Sequence, residues 1–111
     1  MIETTVLDYL SGELAEPCYM EVPSNPQETF VVIEKTGSSR TDHVNAATLA
    51  IQSYAGSLEQ AAELNDRVKT AMDNITTLAD IGGVKLNSDY NFTNTQTKKY
   101  RYQAVYVLTY I

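Results

Sequence analysis

Residues 43–75, HVNAATLAIQSYAGSLEQAAELNDRVKTAMDNI, decide how this chain folds. The first part alternates. Ala47, Leu49 and Ile51 fall on one side and Ala46, Thr48, Ala50 and Gln52 on the other, the two-residue period of a strand. The pattern breaks at Ala55-Gly56 and resumes with the period of a helix. Ala61, Leu64, Val68, Ala71, Met72 and Ile75 make an apolar stripe, while Glu59, Glu63, Asp66, Lys69 and Asp73 fill the opposite side. Ser57 is in position to cap this helix. Gln60, three residues on, completes a capping box that predicts two satisfied N–H groups. A helix with one apolar stripe needs a surface to cover it, and the strand just before it is the nearest.

Outward from this stretch, residues 2–14 read as a short helix with Ile2, Val6, Leu10 and Leu14 at four-residue spacing. Pro17 stops it from continuing past Glu16. Cys18 to Val22 alternates weakly, as a short edge strand would, before Pro23, Asn25 and Pro26 force a loop. TFVVIEK, residues 29–35, is the clearest strand. Its consecutive Phe30, Val31, Val32 and Ile33 predict burial of both faces at the middle. Gly37-Ser38-Ser39-Arg40-Thr41 reads as the turn of an antiparallel hairpin leading back into residues 43–54.

Beyond the long helix, Gly82-Gly83 marks a turn and VKLNSDY a further strand. The polar run from Asn91 to Lys98 forms a long hairpin tip. YRYQAVYVLTYI then alternates strictly, with Tyr100, Tyr102, Ala104, Tyr106, Leu108 and Tyr110 on one face. The expected architecture is one α+β domain spanning residues 1–111. It has a mixed, mainly antiparallel sheet of about four strands with two helices packed on it, in the order α-β-β-β-α-β-β.

Bulk properties narrow the function classes. At 12.3 kDa, folding hides roughly two-thirds of the unfolded surface, enough for a modest core. Apolar content of 43% and charged content of 20% exclude a disordered chain. A net charge of −6 opposes binding to duplex nucleic acid and to anionic membrane surfaces. No segment approaches the ~20 apolar residues of a membrane span. Glu3 and Asp8 near the N-terminus are unlike a secretory signal, and the lone Cys18 suits a reducing compartment. Without export, the sequons at Asn74 and Asn91 are chance matches. These features predict a soluble intracellular protein with no membrane partner.

No motif carries chemistry strongly. His43 beside Asp42 lacks a nucleophile or metal partner at a telling spacing and reads as an exposed strand-end histidine. Cys18 reads as a half-buried structural thiol, and a Cys18/His43 enzyme would need the two to meet in space. Lys35-Thr36-Gly37 reproduces a triplet of penicillin-recognising enzymes, but no serine has lysine three places on. Glu59, Glu63 and Asp66 share a helix face with no histidine and read as solvated, so no metal or cofactor is expected. Lys98-Lys99-Tyr100-Arg101-Tyr102 holds three of the eight basic residues beside two tyrosines, as a single-strand-binding platform would. Strand alternation sets Arg101 opposite the two tyrosines and weighs against that reading.

FVVIEKTG, ATLAIQSYAGSLEQAAELNDRVKTAM and LNSDYNFTNTQTKKYRYQAVYVLTY together resemble small tail-completion (tail terminator) proteins of long-tailed phages and prophages of Gram-positive bacteria. The resemblance runs from about Leu7 to Tyr110 and rests on the pattern and order of elements. It implies a structural virion protein without catalysis, whose copies assemble into a ring, commonly a hexamer, at the head-proximal end of the tail. Assembly would take place in the host cytoplasm. Expected partners are further copies of the chain, the major tail tube protein and a head-completion or connector protein. DNA would pass through the lumen without specific binding, for which an acidic lining is suited. Another small head–tail connector is the nearest alternative. The resemblance assigns contacts to Ser38, Ser39, Arg40 and Asp42 in one turn, and to Asp89, Tyr90, Asn91, Phe92, Asn94, Lys98 and Lys99 in one hairpin.

Overall fold

In a computed structural model that describes all 111 residues, α1 (Ile2–Glu13) precedes β1 (Cys18–Tyr19), β2 (Phe30–Thr41) and β3 (Val44–Ala55). Next come α2 (Leu58–Asp73), a single 3-10 turn (Ile75–Thr77), β4 (Ile81–Asn91) and β5 (Tyr100–Tyr110). The strands make one mixed sheet in the order β1-β2-β3-β5-β4. All neighbours are antiparallel except β1 and β2. The sheet therefore has five strands where about four were expected. The fifth is the two-residue β1, with Cys18 opposite Val31 and Tyr19 opposite Val32. It lies at the sheet edge within the stretch Cys18 to Val22 read as a short strand, and the element order is the expected α-β-β-β-α-β-β.

Register divides the side chains between two unlike faces. Ile33, Ile51 and Ala104 lie side by side across β2, β3 and β5, and Leu49 lies opposite Tyr106. On this face Leu64, Val68 and Met72 of α2 are wholly buried with Leu49, Ile51, Ala104 and Leu108, while Val6 and Leu10 of α1 cover β2. The two helices are joined by Tyr9, whose hydroxyl donates to the Ala71 carbonyl at 2.7 Å. Arg67 adds a two-pronged hydrogen bond to Glu16, both arms 2.8 Å. That bond holds the Glu16 carboxyl below its usual range. The opposite face of the sheet carries no helix. Phe30 and Val32 of β2 nevertheless are buried there against Tyr54, so the middle of FVVI is covered on both sides as its composition predicts.

Three local expectations are revised. Ser57 Oγ accepts the Gln60 N–H at 3.2 Å, but the exposed Gln60 side chain makes no return bond, so one orphan N–H is satisfied rather than two. Gly82 and Gly83 are not a turn before β4 but its second and third residues, at a bulge opposite Thr109. A Cβ on Gly83 would meet Thr109 Oγ1 at 2.6 Å, so a larger residue there requires the Thr109 side chain to turn away. Gly37 to Thr41 also belong to a strand. β2 absorbs Thr36 as a bulge and continues to Thr41, and the chain reverses through Asp42 and His43 alone. Both have positive φ, 51° and 68°, the signature of the two-residue turn whose twist matches paired strands.

Two consequences are measurable. A non-glycine residue in the left-handed region costs roughly 1–2 kcal/mol, so His43→Gly should raise stability in urea unfolding by about 1 kcal/mol. Loss of stability in that variant would mean the turn has another geometry. The second concerns Tyr106, which is 1% exposed and whose hydroxyl has no partner. Burial, then Asp73 and Asp89, push its pKa from an ordinary 10.0 up to about 12. The folded phenol keeps its proton to higher pH than the unfolded one. Its contribution is therefore complete below pH 10 and drains away as pH climbs towards 12. Tyr106→Phe should flatten the fall in melting temperature across that window, and at neutral pH should match or exceed the parent. Unchanged alkaline loss in the variant would refute this.

Candidate functional site

Across the helix-free face, at the end where β2 and β5 begin, a single row of side chains crosses the whole sheet. Tyr19 meets Phe30 edge-on with ring centres 6.0 Å apart, and Phe30 stacks on Tyr54 at 4.5 Å with planes 7° apart. The Arg101 guanidinium lies 5.5 Å from the Tyr54 ring centre and 4.4 Å from that of Phe92. Phe92 in turn meets Tyr90 edge-on at 5.7 Å. The row exists because Phe30, Tyr54 and Arg101 are register partners in β2, β3 and β5. Arg101 is fixed further by donating from Nε to the Phe92 carbonyl and from Nη1 to the Tyr54 hydroxyl, both at 2.7 Å.

Beside this row runs a polar one. Gln52 donates to Gln103 Oε1 at 2.8 Å, Gln103 donates to the Tyr90 hydroxyl, and Tyr54 donates to Gln52 Oε1 at 3.2 Å. Gln52 and Gln103 are buried although no second layer lies over them, so these mutual bonds replace those to water. Neither row was legible before the strands were aligned. Gln52, Tyr54, Arg101 and Gln103 do alternate as a strand requires, but only register shows that they face one another.

Above the aromatic row opens a cleft of about 460 Å³, walled by Val22, Pro26 and Glu28 on one side and by Asn94, Lys98 and Lys99 on the other. The second wall is the β4–β5 hairpin tip. There Asn94 bridges to Lys99, its Oδ1 accepts from Gln96 and Thr97, and Lys98 turns the chain at φ 53°. Asn91 Oδ1 braces the same tip by accepting from Thr93 N and Oγ1 at 3.0 and 2.6 Å. Three cations, Lys98, Lys99 and Arg101, therefore border an apolar floor with Glu28 as the single opposing carboxylate.

The residues expected to make contacts divide into separate groups. Ser38, Ser39 and Arg40 are exposed along β2 rather than in a turn, and Asp42 is in the turn itself. That hairpin end and the Asn94–Lys99 tip lie at opposite ends of the sheet, because Asn45 pairs with Tyr110 and Ala55 with Tyr100. Asp89 sits within β4 on the helix side, where Asn65 donates to it at 2.6 Å and Lys69 at 2.5 Å. Its ion pair holds the Lys69 ammonium above its usual range. Tyr90, Asn91, Phe92, Asn94, Lys98 and Lys99 do cluster, around the tip and the row beneath it.

Cys18 and His43 do not meet. Cys18 pairs with Val31, and His43 follows the Thr41 end of β2, ten residues of strand away, about 33 Å. Burial raises the Cys18 thiol pKa, as for an inert cysteine. The basic and aromatic run at 98–102 is also split. Tyr102, paired with Ser53, faces the helices, whereas Lys98, Lys99, Tyr100 and Arg101 all line the cleft, where Arg101 is already held between two rings. No group of three or more histidine, cysteine or acidic residues is placed to hold a metal ion. No helix is long and apolar enough to cross a membrane. No protein-family model matches the chain, and no curated protein matches it in sequence.

Arg101 holds the site together, and its removal is measurable. Hydrogen bonds from a charged donor contribute about 1.5–3 kcal/mol and the cation–π contact about 1 kcal/mol, so Arg101→Ala should cost roughly 2–4 kcal/mol in urea unfolding. Arg101→Lys keeps the charge but not the planar fork, and should recover less than half of that. Equal stability of Lys and Arg at 101 would show that charge alone matters there.

Proposed function

We propose that this chain is a structural assembly subunit. Its copies form a collar on a phage tail tube, end the growth of the tube and offer the head a surface to dock on. The observation that carries the reading is the one-sided build of the sheet. Two helices cover one face, the other is left with half-buried valines, threonines and a braced cationic cleft, and hairpins project from both ends. A face of this kind on a small domain is suited to another protein surface. The resemblance in order and pattern of elements to tail-completion proteins supplies the biological setting. The acidic balance of the chain suits a passage through which DNA must slide without adhering.

The hairpin tip is the part of the reading open to direct attack. Deleting residues 94–97, or reversing charge by Lys98→Glu with Lys99→Glu, should leave the fold intact and disturb the tails. The expected outcome is tails of uncontrolled length, unattached to heads, seen by electron microscopy, with infectivity lost by orders of magnitude. Tails of normal length and full infectivity from both variants would end the proposal.

A further inference from the structure

We propose that copies of this chain join front to back, the helix-free sheet face of one seated on the acidic outer side of the helices of the next. This deepens the assembly reading and rests on its claim that the chain associates with itself.

The two faces differ in charge as much as in shape. On the outer side of the helices, Asp8, Glu13, Glu59, Glu63 and Asp73 are exposed, and none has an ion-pair partner within 4.0 Å. The nearby cations are already engaged, Arg67 by Glu16 and Lys69 by Asp66 and Asp89. The free face of the sheet reverses this balance. Register places Lys85 and Arg101 on it, and Lys98 and Lys99 border its cleft, so it holds half of the eight basic residues. Glu34 and Glu28 are the carboxylates of its strands and cleft. Between the cations lie short side chains that no layer covers. Val105 and Val107 are half-buried, as are Ala46 and Thr48, and Val44 is 49% exposed.

Charge chooses the occupant. Packing two free faces together would set one predominantly cationic face against another, and like charges across an interface are costly. Setting the free face on the helices of a second copy brings unlike charges together. It also gives the valine and threonine strip a surface with Leu58, an exposed apolar side chain beside Glu59. The two surfaces lie on opposite sides of one chain, so each copy that joins presents a fresh surface to the next. Such a contact repeats until it closes or continues as a filament.

The test uses the purified full chain, with sedimentation velocity and native mass spectrometry at low and high salt. Wild type should form multimers at low salt that dissociate as salt rises. Lys98→Glu/Lys99→Glu and Glu59→Lys/Glu63→Lys should each weaken self-association by roughly tenfold or more. The two variants mixed should associate again, because each then meets its opposite charge. A wild-type chain that stays monomeric at high concentration and low salt overturns the contact. So does association indifferent to both variants, or strengthened by Lys98→Glu/Lys99→Glu, the result expected for two free faces packed together. Oligonucleotide binding lost in that variant, without any self-association, assigns the face to nucleic acid instead. Normal tails from a Lys98→Glu/Lys99→Glu chain that no longer associates would end the tail reading and leave the contact standing. Aberrant tails from a chain monomeric under all conditions would do the reverse.

Discussion

The apolar stripe of α2 must be covered, and only β3 and β5 lie beneath its middle. Leu64, Val68 and Met72 are shielded from water by Leu49, Ile51, Ala104, Tyr106 and Leu108, which lie on two strands paired to each other along eleven residues of each. Each buried aliphatic side chain contributes about 1.5–3 kcal/mol, so this one contact layer outweighs any surface ion pair in the molecule. A slip of one residue between β3 and β5 would turn the whole set to the other face. The register of the sheet, and with it everything arranged on the far side, follows from that requirement.

The far side has to manage without a second layer. It does so by pairing its own polar groups, Gln52 with Gln103 and Tyr54, Gln103 with Tyr90, and by clamping Arg101 between aromatic rings. The covered side is less thoroughly satisfied. Ser53 Oγ, Asn65 Oδ1 and the Tyr106 hydroxyl are buried there without partners. The face that looks bare is therefore the more fully bonded of the two. With its polar groups already paired and Arg101 already clamped, its side chains have little freedom left to lose in a contact.

Residues whose environment depends on local period were legible in the sequence. The stripe of α2, the alternation of β3 and β5 and the doubly buried start of β2 all come from repeats of two or 3.6 residues, and all are present within one or two residues. What escaped depends on pairing. The edge strand expected over Cys18 to Val22 is present but holds only two residues, and the turn at Asp42-His43 contains neither asparagine nor glycine, so it hid behind the more obvious Gly37-Ser38-Ser39. The cleft was half visible. Its basic wall stood out as a cluster near residue 100, but the floor is assembled from β2, β3 and β5, which only register brings together. Asp89 falls within the strand VKLNSDY as its sequence suggests, but only strand pairing shows that it turns to the helix side to meet Asn65 and Lys69.

The strand order has a consequence for how the chain is made. β5 follows all the other strands in sequence yet lies between β3 and β4, so neither neighbour has its partner until β5 has left the ribosome. Before then α2 can cover β3 alone, and the edge of β3 that awaits β5 is open to any other extended segment. Non-local pairings of this kind close late and leave intermediates exposed during translation. Until β5 pairs, neither face of the sheet has its finished arrangement, because both the layer beneath α2 and the aromatic row depend on its register.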